Sequence, residues 1–174
     1  MKNRVNLLVS AIVFAIAVFA FIYFVKSKET NRNALLTEKA KLLENKEFPN
    51  FPIIEPETNK DFSDELHKGE VVIVYMLSDC EACKKETQTI SEIQPKINTK
   101  VFGIMFEDEE VVKKYIKDHN IKFPVLIDKD KKILSGLSLQ YFPTNLKLKD
   151  GIIQKALFGS PQSEAKLLEF IQSE

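Results

Sequence analysis

From Val5 to Val25 the chain is an apolar run of 21 residues, interrupted only by Asn6, Ser10 and Tyr23. At about 1.5 Å per helical residue such a run spans roughly 30 Å, the thickness of a hydrocarbon core. It closes on Phe21-Ile22-Tyr23-Phe24-Val25-Lys26, without a small-residue cleavage site, and no cysteine follows that could carry a lipid. The pattern predicts an uncleaved, single-pass membrane anchor over residues 1–26. Residues 27–47 are charged and lack Gly and Pro, and Leu35, Leu36, Leu42 and Leu43 repeat at a spacing of seven. That predicts a solvated helical linker, because two repeats are too few for a coiled coil. Pro49, Pro52 and Pro56 then punctuate the way into a domain over residues 48–174.

Within that domain Val71-Val72-Ile73-Val74-Tyr75-Met76-Leu77 is continuously apolar and rich in β-branched residues, as for a central strand buried on both faces. It stops at Ser78-Asp79-Cys80, and Lys84 to Ile93 reads as a helix with Thr87, Ile90 and Ile93 inward. Val101 to Phe106 is the next strand, and Asp108 to His119 a helix with acidic residues in its first turn. Strand, helix, strand, helix implies parallel pairing through right-handed crossovers. After Pro124 a short run, Val125-Leu126-Ile127, leads through a charged turn to Ile133-Leu134. Thr144–Leu148 and Ile152–Phe158 flank Lys149-Asp150-Gly151, an antiparallel hairpin signal. Ser160-Pro161 predicts the cap of a closing helix over residues 162–172. The fold class is α/β.

Length suits one domain of ordinary size plus an appendage. Lys+Arg and Asp+Glu are equal at 25 each, so no global field argues for nucleic acid or an acidic substrate. The flanking charges do not settle the membrane orientation: Lys2 and Arg4 favour a cytoplasmic N-terminus, but Lys26, Lys28, Arg32, Lys39 and Lys41 crowd the other side. An extracytoplasmic domain at the cell membrane is expected, because a tethered redox pair has a use there.

That pair is Cys80-Glu81-Ala82-Cys83, which holds both cysteines of the chain. A disulfide scaffold needs more cysteines, a structural zinc site usually needs four ligands, and a short closed loop gives a disulfide little to stabilise. Cys80 falls where a buried strand gives way to a helix, and unpaired N–H groups and the helix dipole there favour a thiolate. Cys83, one turn on, is placed to resolve a mixed disulfide formed at Cys80.

The segment Val71–Glu86, with Cys80-Glu81-Ala82-Cys83-Lys84-Lys85-Glu86, resembles the active-site segment of thioredoxin-like proteins. It is closest to their membrane-anchored bacterial branch, the TlpA/ResA-like proteins. Phe142-Pro143-Thr144 resembles the family's cis-proline element. Phe123-Pro124-Val125-Leu126-Ile127-Asp128 and Lys149-Asp150-Gly151 resemble family segments in the same order. The resemblance implies a thioredoxin-like fold, a central mixed sheet flanked by helices, behind an N-terminal transmembrane helix. It implies thiol–disulfide exchange with protein partners, Cys80 as nucleophile and Cys83 as resolving thiol, without a cofactor or metal, in a monomer leaning towards reductase action. Phe142, Pro143 and Thr144 would seat an extended substrate strand. Three positions depart from the pattern: Leu77-Ser78-Asp79 lacks the tryptophan often found there, Val74 replaces a buried acid, and Ala82 replaces a proline.

The alternatives are a copper or zinc carrier using the cysteines with His67 or His119, a peroxidase, and a non-catalytic binding module. The spacing of two between the cysteines, the absence of a late histidine, and the lack of Pro and Thr in Tyr75–Asp79 count against the first two. Both histidines read as surface or capping residues, and Glu107-Asp108-Glu109-Glu110 as a helix start.

Overall fold

The computed structural model describes residues 2–159 and 163–173, with side chains described from residue 14 onwards. The chain divides into two compact units, residues 1–38 and 39–174. Helix α1 runs Lys2–Lys41 and supplies most of the first unit. Its side chains from Phe14 to Leu35, among them Phe14, Phe19 and Phe21, are exposed, whereas Leu36 and Ala40 near its end are buried. Among the described residues no helix is long and apolar enough to cross a membrane. The first part of the Val5–Val25 run, up to residue 13, has its side chains outside the described residues.

The second unit continues with α2 (Ser63–Leu66), β1 (Glu70–Tyr75), α3 (Glu81–Ile93), a 3-10 turn at Gln94–Lys96, β2 (Lys100–Met105) and α4 (Glu109–His119). Then come β3 (Val125–Ile127), α5 (Lys132–Gly136), β4 (Thr144–Lys149), β5 (Ile152–Phe158) and α6 (Glu164–Gln172). The five strands form one mixed sheet in the order β3-β2-β1-β4-β5. β1 pairs parallel with β2 and antiparallel with β4. β2 pairs parallel with β3, and β4 antiparallel with β5.

The physical logic is local at each step. Val71 to Tyr75 are all fully buried, which a strand flanked on both edges and covered on both faces requires. Each such Val or Ile contributes roughly 1.5–3 kcal/mol by leaving water. On one face Val72, Val74 and Met76 pack with Cys83, Ile90 and Ile93 of α3, Val112 and Tyr115 of α4, and Leu167 and Ile171 of α6. The β4–β5 hairpin turns at Asp150 (φ 50°) and Gly151 (φ 78°), the left-handed pair that a two-residue hairpin turn demands. The Asp150 carboxylate also accepts the Gly69 N–H at 2.8 Å, tying the hairpin tip to the residue before β1.

Two sequence expectations change in detail. The charged turn before Ile133-Leu134 is a helix cap: the buried Asp128 carboxylate accepts the N–H groups of Lys132, Ile133 and Leu134 at 2.7, 3.0 and 3.2 Å, starting α5. The Ser160-Pro161 cap lies outside the described residues, and α6 is capped by Ser163, whose side chain accepts the Lys166 N–H at 3.3 Å.

Candidate functional site

Beyond Tyr75 the chain leaves the sheet through Met76–Asp79 and enters α3 with Cys80 as its N-cap, in extended conformation. Cys80 Sγ accepts the Cys83 N–H at 3.1 Å, taking the place that a serine or aspartate oxygen fills in an ordinary cap. Sulfur therefore sits on the positive end of the helix, where a thiolate is favoured. Cys80 and Cys83 form a disulfide, with Cα atoms 5.2 Å apart. Cys80 is half-buried and Cys83 fully buried.

The turn that carries Cys80 is tied sideways. The Ser78 N–H donates to the Glu107 carboxylate at 2.9 Å, and the Ser78 hydroxyl donates to it too. Glu107 lies in the loop between β2 and α4. Asp79 points outwards and is exposed.

Across the sheet, Thr144 opens β4 opposite Tyr75, the last residue of β1. The Phe142–Pro143 element is thus placed at the same sheet end as the Cys80 turn, and its peptide bond is cis. Pro143 is itself buried and Phe142 half-buried. The Pro143 carbonyl is taken by the Gly159 N–H at 3.0 Å, and the Thr144 hydroxyl donates to the Tyr141 carbonyl. The Phe142 ring stacks on Tyr75 with centroids 6.0 Å apart, and Tyr75 in turn on Phe106 at 6.1 Å. The Tyr75 hydroxyl donates to Asp128 at 2.9 Å. Burial, and then the Asp128 carboxylate beside it, push the Tyr75 hydroxyl's pKa upwards, so it remains a donor.

Two residues here were not singled out from sequence. Glu86, one turn beyond Cys83 on α3, is fully buried, and Asn145 of β4 donates to it through Nδ2 at 2.6 Å. Asn145, also buried, stands directly opposite Val74. A buried carboxylate from the helix thus bonds the residue opposite Val74, the β1 position where the family pattern has an acid. A signal existed: Glu86 follows Cys83 by three and precedes Ile90 by four, which sets a charge on the inward stripe of the helix.

The two histidines make other contacts. His67 Nδ1 and Nε2 sit 2.8 and 3.0 Å from the carbonyl oxygens of Ser63 and Phe48. His119 packs on Tyr115 in the last turn of α4, with ring centroids 4.6 Å apart. Among the described residues no group of three or more His, Cys, Asp or Glu side chains could hold a metal ion.

Residues 45–155, which contain the sheet through most of β5, the disulfide and the Phe142–Pro143 bond, match the AhpC/TSA family. The chain belongs to the AhpC/TSA family. Within that family it stands with thioredoxin-like thiol–disulfide oxidoreductases. The thiol-disulfide oxidoreductase ResA of Bacillus cereus is 31% identical over 140 residues, 78% of this chain and 80% of that protein. ResA of Bacillus subtilis is 26% identical over 135 residues, 74% of each chain. Among solved structures, StoA from Bacillus subtilis superposes with a TM-score of 0.59 at 20% identity, covering 70% of this chain and 98% of that one. A secreted Mycobacterium tuberculosis disulfide oxidoreductase homologous to E. coli DsbE gives 0.64 at 15%, covering 72% and 96%. These structural likenesses establish the family's thioredoxin-like fold.

Proposed function

We propose that this AhpC/TSA family member exchanges disulfides with protein partners through Cys80 as nucleophile and Cys83 as resolving thiol, in the reducing direction. The observation that carries the reading is the asymmetry of the pair: a half-buried sulfur at a helix N-cap joined to a fully buried one. In the reduced protein the Cys80 thiolate attacks one sulfur of a partner disulfide, and the partner's other sulfur leaves as a thiolate and takes a proton. Cys83 then loses its proton and attacks Cys80 Sγ, and the partner's first sulfur is expelled. Two electrons pass to the partner and the Cys80–Cys83 bond re-forms. The buried Glu86 carboxylate, one turn from Cys83, receives the thiol proton where water does not reach.

Phe142, Pro143 and Thr144 form the seat of the partner strand beside Cys80. Pro143 is covered and its carbonyl is spoken for, so the Phe142 backbone and the exposed part of its ring are the contacting groups. The N-terminal segment holds the domain at the outer side of a membrane. The reading rests on the Val5–Val25 run and on the exposed apolar side chains of α1 from Phe14 to Val25.

A redox titration of the full chain in thiol buffers, with free thiols trapped and counted, tests the reading. A two-electron midpoint below about −240 mV is expected for a reductant, and one near roughly −120 to −180 mV would reverse the direction. Cys80→Ser is expected to lower exchange roughly 10³-fold or more, and intact activity in that variant would sink the mechanism. For orientation, a membrane-impermeant thiol reagent applied to intact cells after reduction is expected to label Cys80; labelling only after lysis would place the domain inside.

A further inference from the structure

The Asn145 side chain is buried, and its two polar atoms are treated unequally. Nδ2 donates to Glu86 Oε1 at 2.6 Å, while Oδ1 is buried with no hydrogen-bond partner among the described residues. A buried acceptor left unmade is costly. An amide tolerates that cost only where its other end makes a stronger bond, and a hydrogen bond to an ionised carboxylate is about twice as strong as a neutral one. The opposite orientation would turn Oδ1 towards the carboxylate, oxygen against oxygen.

We propose that Asn145 is a positioning residue for thiol–disulfide exchange: it holds Glu86 beneath Cys83 as an ionised proton acceptor and follows its protonation. This rests on the exchange reading above. When Cys83 attacks, its S–H bond breaks, the electron pair stays on sulfur and the proton forms an O–H bond on Glu86. The carboxylic acid is then a donor, and a half-turn of the Asn145 amide presents Oδ1 to accept from it. The orphaned atom of the oxidised state is the partner that the protonated state needs. Val74, directly opposite Asn145, has no polar atom with which to compete for either member of the pair. The other titratable or charged groups on this face are the Cys83 thiol on α3, Tyr115 of α4, whose hydroxyl lies 3.2 Å from that of Thr87, and Lys147, two residues along β4. The Lys147 Nζ is engaged by the Ile171 carbonyl at 3.1 Å, the Ser173 carbonyl and Glu70 at 3.6 Å. β1 presents only apolar side chains there, and α6 presents Leu167 and Ile171.

The test is the midpoint potential of the full chain measured against pH, alongside thermal unfolding, for wild type, Asn145→Leu, Glu86→Gln and the double variant. Glu86 gives a break in the wild-type plot. Asn145→Leu is expected to move that break to higher pH by about one unit, the size of a lost charge-assisted hydrogen bond. Glu86→Gln is expected to abolish the break, and Asn145→Leu is expected to add nothing in that background. Asn145→Ser, smaller and still polar, replaces Asn145→Leu should the latter fail to fold. An unmoved break, or a shift that persists without Glu86, overturns the assignment while leaving exchange standing. A pair that takes up no electrons at any pH sinks the exchange reading and this proposal together.

Discussion

Among the described residues two carboxylates are fully buried, Glu86 and Asp128, and they lie on either side of the strand that leads to the cysteines. Asp128 meets donors that cannot leave: the N–H groups of Lys132, Ile133 and Leu134, and the Tyr75 hydroxyl. Its charge is spread over a helix start and a phenol, and nothing reactive adjoins it. Glu86 meets a side-chain amide that strands its own oxygen, one helical turn from a buried sulfur. Burial is equal, so burial alone does not give a carboxylate the part proposed for Glu86. What distinguishes the two is whether the partners are saturated and fixed, or adjustable and left with something to gain.

The comparison breaks most sharply at Asp128. Replacing it with Ala leaves three N–H groups and a phenol unpaired, and is expected to cost about 3 kcal/mol, or roughly 10 °C in Tm for a domain of this size. The midpoint potential is expected to stay in place, and a large shift in potential would mean that Asp128 is no mere scaffold. Lys147→Met releases the carbonyls at the end of α6 and is expected to cost about 1–2 kcal/mol, read as faster amide exchange confined to α6. Tyr75→Phe removes one donor from Asp128 and keeps the aromatic stack, so about 1 kcal/mol is expected in denaturant unfolding.

The smallest effect concerns an exposed carboxylate. Asp61 accepts the Ser63 N–H at 2.9 Å and the Ile53 N–H at 3.2 Å. The Ser63 bond chiefly holds its pKa below the ordinary 3.8. A depressed folded value means that the contribution is complete above that pH and is lost as pH falls below it. Asp61→Asn is therefore expected to flatten a minor part of the acid limb of stability and nothing above about pH 5. A change near neutrality would contradict the assignment.

Sequence made the local features legible. Val71–Leu77 declared a doubly covered strand, Lys149-Asp150-Gly151 a hairpin, and Cys80-Glu81-Ala82-Cys83 a pair of cysteines placed to bond with each other, because each signal is complete within a few neighbouring residues. The partners of Glu86 and Asp128 were not legible for the opposite reason. Asn145 meets Glu86 across 59 positions and Tyr75 meets Asp128 across 53, and no periodicity reports such pairs. Asp128 read as part of a charged turn because its carboxylate serves three amides that follow it, a geometry that composition cannot express. Val74 looked like a missing acid when read along β1 alone. With α3 folded against the sheet, a buried carboxylate, Glu86, bonds the residue opposite Val74.

Gly103, Val74 and Asn145 stand side by side in one row across β2, β1 and β4. A Cβ on Gly103 would come within 2.6 Å of Met76 Cε and 3.1 Å of Val125 Cγ2. Met76 is the first residue of the segment that carries the chain out to Cys80. The glycine and the cysteines, far apart in the gene, are therefore joined in inheritance: a lineage that fills the glycine must first re-fit the methionine at the root of its own redox turn.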